Sequence, residues 1–156
     1  MPTTRGFTVL EMMVVLTVMS LLALATVPVA ELIVQRTKER ELKAALVQMR
    51  AAIDAYKQAY EAKRIAHVDG ATGYPPTLQT LVDGVPGVNA SAGQRLFFLR
   101  RVPADPFAEP SAPAAQGWGL RSYASSADRP TPGADVYDVY SLQPGTGLDG
   151  VAYREW

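Results

Sequence analysis

Side chains able to do chemistry are few, and their spacing does not suit catalysis. The 156 residues hold one histidine, His67, and no cysteine. That excludes disulfides, thiolate nucleophiles and any centre needing two histidines. Asp105, Asp135 and Asp138 could enter acid–base schemes. No histidine, lysine or second carboxylate recurs beside them at a diagnostic spacing. Asp105, ahead of Pro106, reads as a turn residue, and His67 as an exposed loop residue. No phosphate loop or zinc signature appears. One charge sits where it demands a reason. Glu11 is alone in an apolar run over residues 7–30. A carboxylate near the start of a membrane helix is costly without a partner, and the run contains no lysine or arginine. Two readings stay open: a partner on another chain, most simply a freed α-amine, or snorkelling to the membrane edge within two turns.

The elements around Glu11 divide the chain into a helical half and a turn-rich half. Apart from Gly6, every glycine lies from Gly70 onward, and apart from Pro2 and Pro28, every proline lies from Pro75 onward. Lys plus Arg (15) equals Asp plus Glu (15), so no basic excess favours nucleic acid. As a helix, residues 7–30 span about 36 Å at 1.5 Å per residue, enough for a hydrocarbon core of about 30 Å. A buried helix of a soluble domain is the competing reading. Apolar residues on every face and the length of the run favour a span. Arg5 before the span predicts a cytoplasmic N-terminus and an exported head, although Arg36, Lys38, Arg40 and Lys43 follow it. An ordinary secretory signal is cleaved after its apolar region. Here a short polar leader, MPTTRG, precedes the run directly.

From 31 to 64 the chain becomes polar but stays helical. Leu42, Leu46, Met49, Ile53, Tyr56 and Tyr60 form one stripe at helical period, with the tyrosines read as core. Residues 7–64 are predicted to form one helix of roughly 87 Å, bent or locally opened at Pro28. The alternating charges from Glu31 to Lys43 read as a solvated face or as pairs between neighbouring subunits. The rest forms a small head. Thr77 is predicted to cap a short helix that Gly84 stops. Residues 96–99 form a helical turn or short strand, and 102–107 a proline-bounded loop. Residues 118–124, 135–142 and, more weakly, 151–156 are predicted antiparallel strands, one sheet face lying on the helix stripe. The boundaries are thus 1–6 leader, 7–30 span, 31–64 amphipathic helix and 65–156 head. The fold class is α+β.

Arg5-Gly6-Phe7-Thr8-Val9-Leu10-Glu11 resembles the class III signal of type IV pilins and pseudopilins. That resemblance implies cleavage by the prepilin peptidase between Gly6 and Phe7 and N-methylation of Phe7. It puts Glu11 fifth in the mature chain and Pro28 at the twenty-second position, where these proteins often carry a helix-kinking proline. Val9 stands where leucine is common. The head is similar to the major pseudopilin of type II secretion. The residues carrying this are Tyr74-Pro75 with Leu78 and Leu81, Arg101-Val102-Pro103-Ala104-Asp105-Pro106-Phe107, Trp118, Ser122-Tyr123-Ala124-Ser125, Tyr137-Asp138-Val139-Tyr140-Ser141 and a C-terminal tryptophan.

The resemblance implies a non-enzymatic structural subunit of the inner membrane. Its N-terminus is cytoplasmic and its head periplasmic before it joins a periplasmic helical filament. Implied partners are copies of itself, other pseudopilins, the prepilin peptidase and the inner-membrane assembly platform. In the filament Glu11 would pair with the Phe7 amine of a neighbour. A major or minor type IV pilus subunit is the alternative, and a membrane-anchored binding module or enzyme built on the head is a third reading. The resemblance also implies calcium in the loop after residues 137–141. Calcium takes six to eight oxygens, and the segment offers Asp149 with Asp138 nearby as candidate ligands. That carboxylate supply is thin, and a plain turn held by glycine and proline is the competing reading.

Overall fold

A computed structural model describes residues 6–88, 94–109, 111 and 113–156, with the side chains of 24–28 outside the description. The leader residues 1–5 therefore lie outside the described residues. Helix α1 runs Val9–Glu61, 53 residues, with its backbone helical through position 28. It is shorter than the expected 7–64 at both ends. Thr8 caps the start, accepting the Glu11 amide at 3.2 Å. At the other end Lys63 takes φ 54°, and a left-handed residue ends a helix.

The chain divides into two compact units, residues 1–37 and 38–156. In the first, the apolar side chains of residues 7–22 are exposed, among them Phe7 (72%), Val9 (79%) and Leu10 (74%). Thr17 and Ser20 turn their hydroxyls to the carbonyls of Met13 and Leu16, at 2.7 and 2.8 Å, so they add no unmet polar group to that surface. Among the described residues no helix is long and apolar enough to cross a membrane. The span expected over 7–30 includes the five positions whose side chains are not described.

The second unit is built on the α1 stripe. Leu42, Leu46, Met49 and Ile53 are buried and meet Leu78, Leu81, Leu99, Trp118, Val136, Val139 and Tyr153 in one core. Tyr60 buries with Ala59 and Ile65 in a smaller cluster, so the tyrosine end of the stripe is packing, as its spacing requires. Helix α2 (Leu78–Asp83) has Thr77 as its N-cap, accepting the Thr80 amide, and Gly84 at φ 69° as its stop, both as predicted. Strands β1 (Val85–Pro86) and β2 (Arg95–Leu96) make a small antiparallel pair. Strands β3 (Trp118–Arg121) and β4 (Asp138–Ser141) make the second, with Trp118 opposite Ser141 and Arg121 opposite Asp138. The fold is α+β: a long N-terminal helix and a small antiparallel sheet, consistent with a pilin-like architecture.

Two strands are shorter than expected and one is absent. Beyond Arg121 the Ser122 amide turns to the Thr131 carbonyl at 3.0 Å, which ends β3. Val136, ahead of β4, and Val139, within it, are both buried. A spacing of three breaks strand parity, so β4 starts later. The third strand is replaced by a 3₁₀ turn, Tyr153–Glu155. Gly145 and Gly150 adopt positive φ and fold the chain back, so the Tyr153 amide reaches the Gly145 carbonyl at 3.2 Å.

Candidate functional site

The N-terminal segment holds the first group of predicted site residues. Gly6 has no positive φ, and a Cβ built there meets nothing within 4 Å. The fold therefore places no steric demand for glycine at this position. Phe7 follows, outside the helix and largely exposed. Glu11 lies in the first turn of α1, three residues after the Thr8 cap. That is the carboxylate position of a capping box, where the helix dipole favours negative charge. The arrangement leaves a short non-helical piece, 6–8, immediately before a helix whose first turn carries the acid.

Two head carboxylates, Asp135 and Asp105, hold structure. Asp135 is buried and accepts from the Ser122 hydroxyl at 2.8 Å, the Tyr123 amide at 2.9 Å and the Thr72 hydroxyl. Burial pushes its carboxyl up. The hydrogen bonds from Thr72, Tyr123 and Ser122 outweigh that and hold its pKa below the usual carboxylate value. Asp105 is also buried. It accepts the Phe107 amide at 2.8 Å, the turn role read from the sequence, and in addition the Ser141 hydroxyl at 2.5 Å. The Trp118 indole donates to the Pro103 carbonyl at 2.8 Å. The segments 101–107, 118–125 and 137–141 are thereby tied to each other. His67 is exposed and stacks on Tyr60 at 4.5 Å. Among the described residues, no histidine or lysine partners Asp105 or Asp135 for proton transfer.

The two candidate metal ligands face different cations. Asp138 accepts from Arg50 Nε at 2.8 Å, and the same guanidinium donates to the carbonyls of Val139 (3.1 Å) and Trp156 (2.7 Å). Asp149 pairs with Lys43 at 3.3 Å and accepts the Val151 amide at 3.1 Å. The Val151 amide is the main cause of a lowered Asp149 pKa, with Lys43 adding to it. Calcium needs six to eight oxygens around one point. Among the described residues no three His, Cys, Asp or Glu side chains gather to hold a metal. The residues present do not fit a calcium site formed by Asp138 and Asp149.

Sequence reasoning missed Glu39. It is buried, accepting the Leu148 amide at 2.9 Å and the Tyr153 hydroxyl at 3.0 Å. Its signal was its phase: 39, 42, 46, 49 and 53 share one helix face, so a carboxylate in that series points into the core.

Residues 1–27 match the family model described as the Prokaryotic N-terminal methylation motif. Neither curated proteins nor solved structures gave a match. The match covers the leader, Gly6, Phe7, Glu11 and the start of α1. This motif is the prepilin-type signal found in type IV pilin-like proteins.

Proposed function

We propose that the chain is a pseudopilin of a type II secretion-like machine. The peptidase cuts between Gly6 and Phe7 and methylates the new amine. The subunit waits as a single-pass protein of the inner membrane, with its head in the periplasm. It then enters a helical filament with copies of itself and other pseudopilins on the inner-membrane platform. The observation that carries this reading is the methylation motif over residues 1–27, which runs into a helix whose described apolar side chains over 7–22 are exposed. Such a surface needs lipid or other helices around it. Gly6, which the fold does not require, is then read by the peptidase. Glu11 at the fifth mature position pairs with the Phe7 amine of a neighbour. In a low-dielectric bundle this offsets the desolvation of both charges and sets register.

Secretion rather than a surface pilus is supported by the head. Its motif segments are joined through Asp105, Ser141, Trp118 and Pro103, and it holds no disulfide. Deleting the gene tests the distinction. Loss of exported enzymes with surface pili intact is the expected result. Loss of pili with export intact would transfer the subunit to the pilus.

A further inference from the structure

The segment after β4 is held against α1 by two side chains one turn apart, Glu39 and Lys43. Glu39 is the buried anchor. Its carboxylate takes the Leu148 amide and the Tyr153 hydroxyl, tying both ends of the fold-back to the helix. Lys43 lies on the outside. Its ammonium is 3.3 Å from Asp149 and 4.0 Å from the centre of the Trp156 ring. Asp149 in turn caps the Val151 amide, and Gly147, which has no Cβ, lets the Trp156 ring lie directly against it. An exposed ion pair alone contributes little. Here the ammonium also sits over an aromatic face, while the buried carboxylate does the heavier holding.

We propose that Lys43 is the resident cation of this loop, and that Glu39 and Lys43 together do the work a divalent metal would do in closing it. The head then folds and assembles in the presence of chelators. This goes beyond the proposed function and holds whichever apparatus the filament serves. The loop carboxylate Asp149 and the Leu148 and Val151 amides are already engaged by groups of the chain itself. A metal at Asp149 would have to displace Lys43 and find its remaining oxygens among backbone carbonyls.

The test is amide hydrogen exchange on the full chain in detergent micelles, with calcium ion or excess chelator as the probe. The Leu148 and Val151 amides should exchange at the same rate in both. Glu39→Gln should speed Leu148 exchange about tenfold or more while core amides of residues 42–53 hold. Lys43→Met, which keeps an apolar stem over Trp156, should speed Val151 exchange and should not be rescued by calcium. Should Glu39→Gln fail to fold, the exposed Lys43 site still decides. A tenfold slowing of either amide by calcium in the unaltered protein would overturn the proposal, as would unchanged exchange in Lys43→Met.

Discussion

Ser141, the last residue of β4, donates its hydroxyl to Asp105 at 2.5 Å, and both side chains are buried. The bond joins the proline-bounded loop to the sheet, and the Asp105 carboxylate also holds its own turn through the Phe107 amide. A buried carboxylate stripped of a donor loses more than one average hydrogen bond. Ser141→Ala should therefore cost about 2 kcal/mol, read as a lower midpoint in denaturant unfolding. Asp105→Asn should cost at least as much. A double-mutant cycle should return a coupling of about 1 kcal/mol or more. Additive losses would mean the two act separately.

Arg50 makes three bonds with one guanidinium, to Asp138 and to the carbonyls of Val139 and Trp156. Arg50→Met keeps the stem and removes all three. We expect a loss of about 2–3 kcal/mol. Arg50→Lys should recover only part of it, because a single ammonium cannot reproduce the fork. Full recovery by lysine in a thermal melt would show that charge alone matters there.

Acid stability should depend on Asp135. Its folded pKa is lowered, so it contributes stability above its unfolded pKa of about 3.9 and loses it as pH falls through the lower folded value. Between pH 5 and 8 its contribution should be constant. Asp135→Asn should flatten the acid limb of the unfolding free energy below about pH 4. An unchanged acid limb in that variant would assign the acid sensitivity to other carboxylates.

Gly119 has a steric duty. A Cβ there would enter the ring of Tyr140, its partner across the β3–β4 pair. Gly119→Ala should displace that ring and cost about 1–3 kcal/mol. The Gly119→Ala/Tyr140→Ser double variant should be less unstable than the sum of its singles. Additivity would mean that the ring does not constrain position 119.

What could be read from the chain follows from how local each signal is. The stripe from Leu42 to Tyr60 repeats at helical period, and Thr77 and Gly84 bracket a helix through their own backbone. All of these were legible. The strand expected over 151–156 was not, because positive φ at Gly145 and Gly150 sets its direction. Asp135 looked like the start of a strand. Its partners Thr72 and Ser122 are 63 and 13 residues away, distances that no period encodes. Glu39 was hidden among alternating charges although its phase matched the buried face. At the other end, the methylation motif over residues 1–27 was legible for the opposite reason. A processing signal is read as a linear string, so its information sits in the sequence itself.

The most direct test of the central claim is the N-terminus of the protein taken from its native membrane, measured by mass spectrometry with and without the prepilin peptidase. The account predicts a chain beginning at N-methylated Phe7 only when the peptidase is present. It predicts the same for Glu11→Ala, which should be processed normally yet fail to form filament. An intact MPTTRG leader in both samples would contradict it.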